Sequence, residues 1–115
     1  MTNTKLDDLI LSIGAGLYEE LVFRLIVIAL VIVIAVDVGK LHATYGAALA
    51  ITISSLLFAA HHYPPIGTDA FDVRTFAFRV AAGGYLAGVF LFRGFGIAVG
   101  AHAMYNIIVV LALSR

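Results

Sequence analysis

The sequence predicts an all-α membrane protein, a bundle of about four transmembrane helices, and three observations lead there. Of 115 residues, 63% are hydrophobic and only 12% charged, more apolar surface than a soluble domain of this length can hide. The apolar residues gather in four stretches, each close to the roughly 20 residues an α-helix needs to cross a bilayer core. Only short polar connections separate them, so residues 1–115 are expected to form one transmembrane helical domain with no soluble domain attached. Runs such as VIVIAV at residues 31–36 would suit a strand, but an isolated strand cannot satisfy its backbone in lipid, so they read as helix.

Charge and cysteine content exclude several classes. Seven Lys and Arg balance seven Asp and Glu; no basic block exists to hold phosphates, so nucleic acid is not a partner. The absence of Cys removes disulfides, thiolate metal sites and thiol catalysis.

The elements follow in order. The N-terminal MTNTKLDDL carries Asp7 and Asp8 where a secretory signal would be basic, so the first apolar stretch is expected to remain in place. That stretch, about residues 9–36, is wholly apolar in its second half but is interrupted by Glu19, Glu20 and Arg24 in its first. DVGKLH then makes a turn with Gly39. The second helix, about 43–62, meets Tyr63, Pro64 and Pro65; the residue before a proline is pushed out of the helical region, which sets the helix end. The third, about 76–92, stops at Arg93 and Gly94, a basic last turn followed by a glycine. The fourth, about 95–113, follows at once. Gly84 and Gly88, and Gly96 and Gly100, have the four-residue spacing that lets helix backbones approach in lipid. Lys5, Arg74 and Arg115 fall on the starting face and Lys40 and Arg93 on the other, which favours a cytosolic starting face.

Ionisable groups inside a membrane helix cost about 2.5–3.5 kcal/mol each on insertion scales, so they turn towards the bundle interior or towards water. Glu20 and Arg24 are four apart and share a helix face, where they can pair. Glu19 projects about 100° away and has no partner on its own helix. Taken alone, the three read equally well as an ion cluster that fixes packing. His102 and Asn106 also stack four apart in an otherwise apolar helix. His61 and His62 are adjacent and are not expected to face inward together; Phe58 shares a face with His62, which makes His62 the inward residue. His61 and His42, near helix ends, are expected at the membrane interface with Tyr63. Counted at 1.5 Å per residue, Glu19, His102 and Asn106 lie roughly 10–16 Å deep from one face. His62 comes out shallower, unless the Pro-Pro loop dips inward or the second helix is short.

These residues together resemble a known family. EELVFR (Glu19, Glu20, Arg24) matches an E-E-x-x-x-R motif, FAAHH (Phe58, His62) an F-x-x-x-H motif and HAMYN (His102, Asn106) an H-x-x-x-N motif. All three occur in order in the CPBP family, the CAAX-protease and bacteriocin-processing intramembrane proteases, also called Abi proteins, related to Rce1-type prenyl-protein endopeptidases. The match runs from residue 19 to residue 106, and RGFGIAVGAHAMYN resembles bacterial members. Family members usually carry several further helices before the first motif, so by this resemblance the chain is expected to correspond to their catalytic core.

The resemblance implies an intramembrane endopeptidase that hydrolyses a peptide bond of a membrane-associated protein or peptide, in a multi-pass protein of the bacterial cell membrane. By that analogy Glu19 and His62 activate water, His102 and Asn106 stabilise the oxyanion, and Glu20, Arg24 and Phe58 support the site. The implied partners are membrane lipid and the substrate, and a homo-oligomer is allowed. The cofactor is left open between none and Zn²⁺; an ion would be held by Glu19, His62 and His102 with an open water position. Asn106 is a poor zinc ligand but a good oxyanion donor, and His102 has no orienting carboxylate on its own helix, which leans the reading towards a metal-free site. Two other classes use the same buried groups: a non-catalytic membrane immunity or scaffold protein, and a proton or metal pathway, for which four helices without internal repeats are few.

Overall fold

The computed structural model describes residues 4–113, and every regular element among them is helical. Four helices are long and apolar enough to cross a membrane: α1 (Thr4–Val38), α2 (Ala43–Ala60), α3 (Val73–Arg93) and α4 (Phe95–Leu113). Arg115, which entered the orientation argument, lies outside the described residues.

Helix ends depart from the sequence expectation where caps intervene. α1 begins at Thr4, with Asp7 in its first turn, where a carboxylate favours the positive end of the helix dipole. His42 is the N-cap of α2; its Nδ1 accepts the Thr44 N–H at 3.2 Å. α3 starts at Val73, earlier than the apolar pattern suggests, because the Asp72 carboxylate accepts from the Thr75 hydroxyl at 2.8 Å and faces the Thr75 N–H. Gly94, at φ 94°, ends α3 in a conformation that side chains resist.

α1 is 35 residues long, about 52 Å at 1.5 Å per residue, well beyond the bilayer core. Two π-helical segments widen it, Leu21–Ile26 and Val33–Val38. The first begins directly after Glu19 and Glu20 and contains Arg24, the kind of place where such turns accumulate in functional helices. The N-terminal part of α1 packs along α4 and its C-terminal part along α2; α2 packs on α3 and α3 on α4. An apolar core of Ile28, Ala50 and Ala87 holds the end of the bundle beyond the π turn. Most other large apolar side chains point outward, among them Leu11, Leu30 and Phe92, as a bundle solvated by lipid requires.

The tightest helix contacts at glycine are mostly not at the expected ones. A Cβ on Gly16 would come within 3.1 Å of Asn106 Nδ2, and one on Gly83 within 3.0 Å of the Phe58 ring and 3.2 Å of Ser55 Cα. Gly84 faces Ser55 Oγ at 3.4 Å, whereas Gly88, Gly96 and Gly100 meet nothing within 4 Å. Of the four glycines the spacing rule picked, Gly84 meets a neighbour; the rule missed its neighbour Gly83 and Gly16 on α1.

Two features bring the end of α2 to the level of the α1 carboxylates. α2 has 18 residues, about 27 Å, and ends against the middle of α1, with the Phe23 ring 5.9 Å from Phe58 and 4.7 Å from His61. The connection to α3 folds back rather than running out: Asp69 N–H donates to the His62 carbonyl at 3.1 Å, and the Asp69 carboxylate pairs with Arg79 at 2.7 Å. Tyr63, expected at the interface, is buried under the Arg79 guanidinium and the Phe71 and Phe76 rings.

Candidate active site

The deepest layer of the site is a charged network. Glu20 and Arg24 are fully buried, with Glu20 Oε1 3.2 Å from Arg24 Nε. That contact is an ion pair and not a directed hydrogen bond, since neither atom makes one. Arg24 is aimed elsewhere: Nη1 donates to Ser54 Oγ at 3.3 Å, and the guanidinium lies 4.7 Å above the Phe58 ring centroid. Ser54 in turn donates to the Phe23 carbonyl at 2.7 Å, tying α2 to the π turn.

The other oxygen of Glu20 reaches α4. Glu20 Oε2 is 2.8 Å from His102 Nδ1, and because a carboxylate only accepts, that nitrogen carries the proton. Glu20 is therefore the orienting carboxylate that the sequence argument found missing from the His102 helix; it comes from α1. His102 is buried, with Nε2 directed at Glu19 Oε1, 3.3 Å away. One turn on, Asn106 Nδ2 donates to the Ser12 carbonyl at 2.8 Å, over the gap that Gly16 leaves.

Glu19 also faces α2. Its Oε2 lies 2.9 Å from His61 Nε2 and 3.8 Å from His62 Nε2. The expectation that only His62 faces inward is corrected here: both rings do, and His61 is the nearer. The helix ends at Ala60, so the 100° step between neighbours no longer separates them, and both Nδ1 atoms turn to one acceptor, the Phe58 carbonyl, at 2.9 Å for His62. The Phe58 ring stands edge-on to His62 and His102, with centroids 5.4 and 5.8 Å away, and forms the apolar floor between them.

The structure brings Glu19, His62, His102 and Asn106 to the wall of one cavity of about 180 Å³, closed on the α3 side by Phe78 and Arg79. Burial, then the neighbouring His61 and Arg79, hold the His62 imidazole below its ordinary value against the pull of Glu19. Among the described residues, the three-residue group whose metal-ligating atoms all lie within 4.8 Å of one another is Glu19, His61 and His62, not the expected set with His102. Carboxylate oxygen and imidazole nitrogen are donors that zinc accepts, so the group fits the chemistry of such an ion. Sequence reasoning missed His61, Ser54 and Ser12. Ser54 carried a signal, a hydroxyl in an apolar helix, where such groups bridge helices.

No curated protein and no solved structure matches the chain. A family model described as type II CAAX prenyl endopeptidase Rce1-like matches residues 3–108. With its four apolar helices, that match makes the chain an integral membrane protein of a protease family. It belongs to the Rce1-like family of type II CAAX prenyl endopeptidases.

Proposed function

We propose that the chain is an intramembrane endopeptidase of the bacterial cell membrane that cleaves a membrane-associated protein or peptide, using Glu19 to activate water. The observation that supports this best is the placement of Glu19: Glu20 is committed to Arg24 and His102, whereas Glu19 stands at the cavity wall facing the imidazoles of His61, His62 and His102. An ionised carboxylate so placed can take a proton from water as a general base.

In the proposed reaction Glu19 takes a proton from water as the oxygen attacks the scissile carbonyl carbon. The carbonyl oxygen becomes an oxyanion that accepts hydrogen bonds from Asn106 Nδ2 and from His102 Nε2 when that ring carries both protons, with Nδ1–H held by Glu20. Donors fixed in place before charge develops supply the largest electrostatic gain. His62 orients the water beside Glu19. As the tetrahedral intermediate collapses, the C–N bond breaks and Glu19 returns its proton to the leaving amine. Glu19, His61 and His62 have the donor types to hold a zinc ion, which would supply Lewis-acid polarisation of water or carbonyl when bound.

A CAAX-type substrate carries a lipid beside the scissile bond, and an apolar hollow of about 570 Å³ adjoins the site at His61, between α1 residues Tyr18 to Val27 and the Pro64-Pro65 turn. Its size and lining support a substrate with a bulky apolar group. The test is cleavage of a labelled, lipid-anchored peptide by the purified chain in vesicles, with and without chelator. Cleavage that disappears in Glu19→Gln supports the reading; an unaffected Glu19→Gln chain, or no cleavage by the unaltered protein of any lipidated or unlipidated membrane peptide, overturns it.

A further inference from the structure

His61 belongs to none of the three motifs, yet it makes the shortest contact to Glu19. We infer that His61 joins Glu19 and His62 in a binding site for one divalent transition cation of the zinc class, distinct from the oxyanion pair His102 and Asn106.

Three observations carry this. The first is hydrogen-bond polarity. The Phe58 carbonyl can only accept, so the His61 and His62 Nδ1 atoms that face it are the protonated ones. With the rings neutral, two Nε2 lone pairs face Glu19 Oε2, itself an acceptor. Three acceptors converge with no donor between them, an arrangement that a shared cation resolves.

The second is spacing. Tetrahedral zinc with bonds of about 2.0–2.1 Å puts neighbouring ligand atoms about 3.3 Å apart; the two nitrogens lie 2.9 and 3.8 Å from the carboxylate oxygen, on either side of that value. The third is the outer layer. Metal-bound imidazoles hand their second N–H to a carbonyl or carboxylate, and one backbone carbonyl does this for both rings. Backbone oxygen is fixed by the helix, so the rings are oriented before any ion arrives. His61, His62 and Glu19 keep 23, 23 and 15% of their side-chain surface accessible, enough for entry from the membrane surface and for a fourth ligand such as water.

The site does not depend on the hydrolysis proposed above, and the experiment reads binding directly. Purified chain in detergent is titrated with Zn²⁺ calorimetrically and with Co²⁺ by its visible absorption, which intensifies in tetrahedral coordination. The expected result is one equivalent bound, with intense Co²⁺ bands. His61→Phe keeps the ring against Phe23, 4.7 Å away, but removes both nitrogens; affinity should fall by more than the about 10–100-fold that loss of an outer hydrogen-bond partner costs. His102→Gln should bind as the unaltered chain does. No saturable binding by the unaltered protein overturns the inference. So does binding that survives His61→Phe but is lost in His102→Gln, which would assign the ion to Glu19, His62 and His102. A melting curve for each variant separates ligand loss from unfolding, and His61→Asn replaces His61→Phe if the latter does not fold.

Discussion

Glu20 Oε2 and His102 Nδ1 meet at 2.8 Å across the α1–α4 contact. The same carboxylate faces Arg24 with its other oxygen, so one buried group binds the motif helix internally and also fixes the ring at the cavity wall. Removing its charge strands Arg24 in low dielectric, and breaking such a pair costs about 3–5 kcal/mol. Glu20→Gln is therefore expected to melt well below Glu19→Gln in the same detergent. Matching melting curves for the two would remove Glu20 from the structural role assigned to it.

Ser54 couples α2 to the π turn with two buried contacts, donating to the Phe23 carbonyl at 2.7 Å and accepting from Arg24 at 3.3 Å. Ser54→Ala leaves both partners short of a hydrogen bond, a loss of about 1–3 kcal/mol. Ser55, whose hydroxyl only returns to Ile51 on its own helix at 2.6 Å, should tolerate alanine with a smaller change. Chemical or thermal unfolding of the two variants side by side tests the contrast.

Gly16 lets the His102–Asn106 face of α4 lie against α1, since an added Cβ would stand 3.1 Å from Asn106 Nδ2 and 3.6 Å from the His102 ring. Gly16→Ala should shift the Asn106 amide and lower turnover while the helices remain formed. Gly16→Val, which needs more room, should reduce folded yield as well. Wild-type activity in Gly16→Ala would show that the α1–α4 spacing does not position Asn106.

Helix count and motif pairing are legible in the sequence because both depend on local quantities: apolar length fixes a span, and a four-residue step fixes which side chains share a face. Glu20 with Arg24, and His102 with Asn106, are read this way. What was not legible depends on where one helix ends against another. His61 turns inward because α2 stops at Ala60, where helical spacing ceases to apply. The Glu20–His102 contact joins residues 82 apart, and no periodicity reports it. Gly16 rather than Gly100 faces a neighbour because of how α1 and α4 are rotated, which composition leaves open.

His62 gives a pH dependence with a definite sign. Burial first, then His61 and Arg79, lower its proton affinity, while Glu19 and the Ala59 carbonyl raise it, and the balance is below the ordinary value. The unfolded residue titrates near about 6.5, so the unfolded chain binds more protons below that pH. Stability from His62 is present above about pH 6.5 and is lost as pH falls through the depressed folded value. Melting temperature should fall as the pH is lowered below about 6.5, and less steeply in His62→Gln. Identical pH slopes for both chains would exclude His62 as the titrating group.

Asn106 separates oxyanion stabilisation from substrate binding. One of its two amide hydrogens is held by the Ser12 carbonyl at 2.8 Å, which fixes the side chain and leaves the second hydrogen for the cavity that Asn106 shares with Glu19 and His102. A donor held this way acts chiefly on the charge that develops in the transition state, so Asn106→Ala should lower kcat by about 10²–10³ with KM little changed. Losing the Ser12 contact also removes a link between α4 and α1, and the melting curve reports that effect separately. If KM rises while kcat holds, Asn106 binds the ground state, and the oxyanion has to be stabilised by His102 alone.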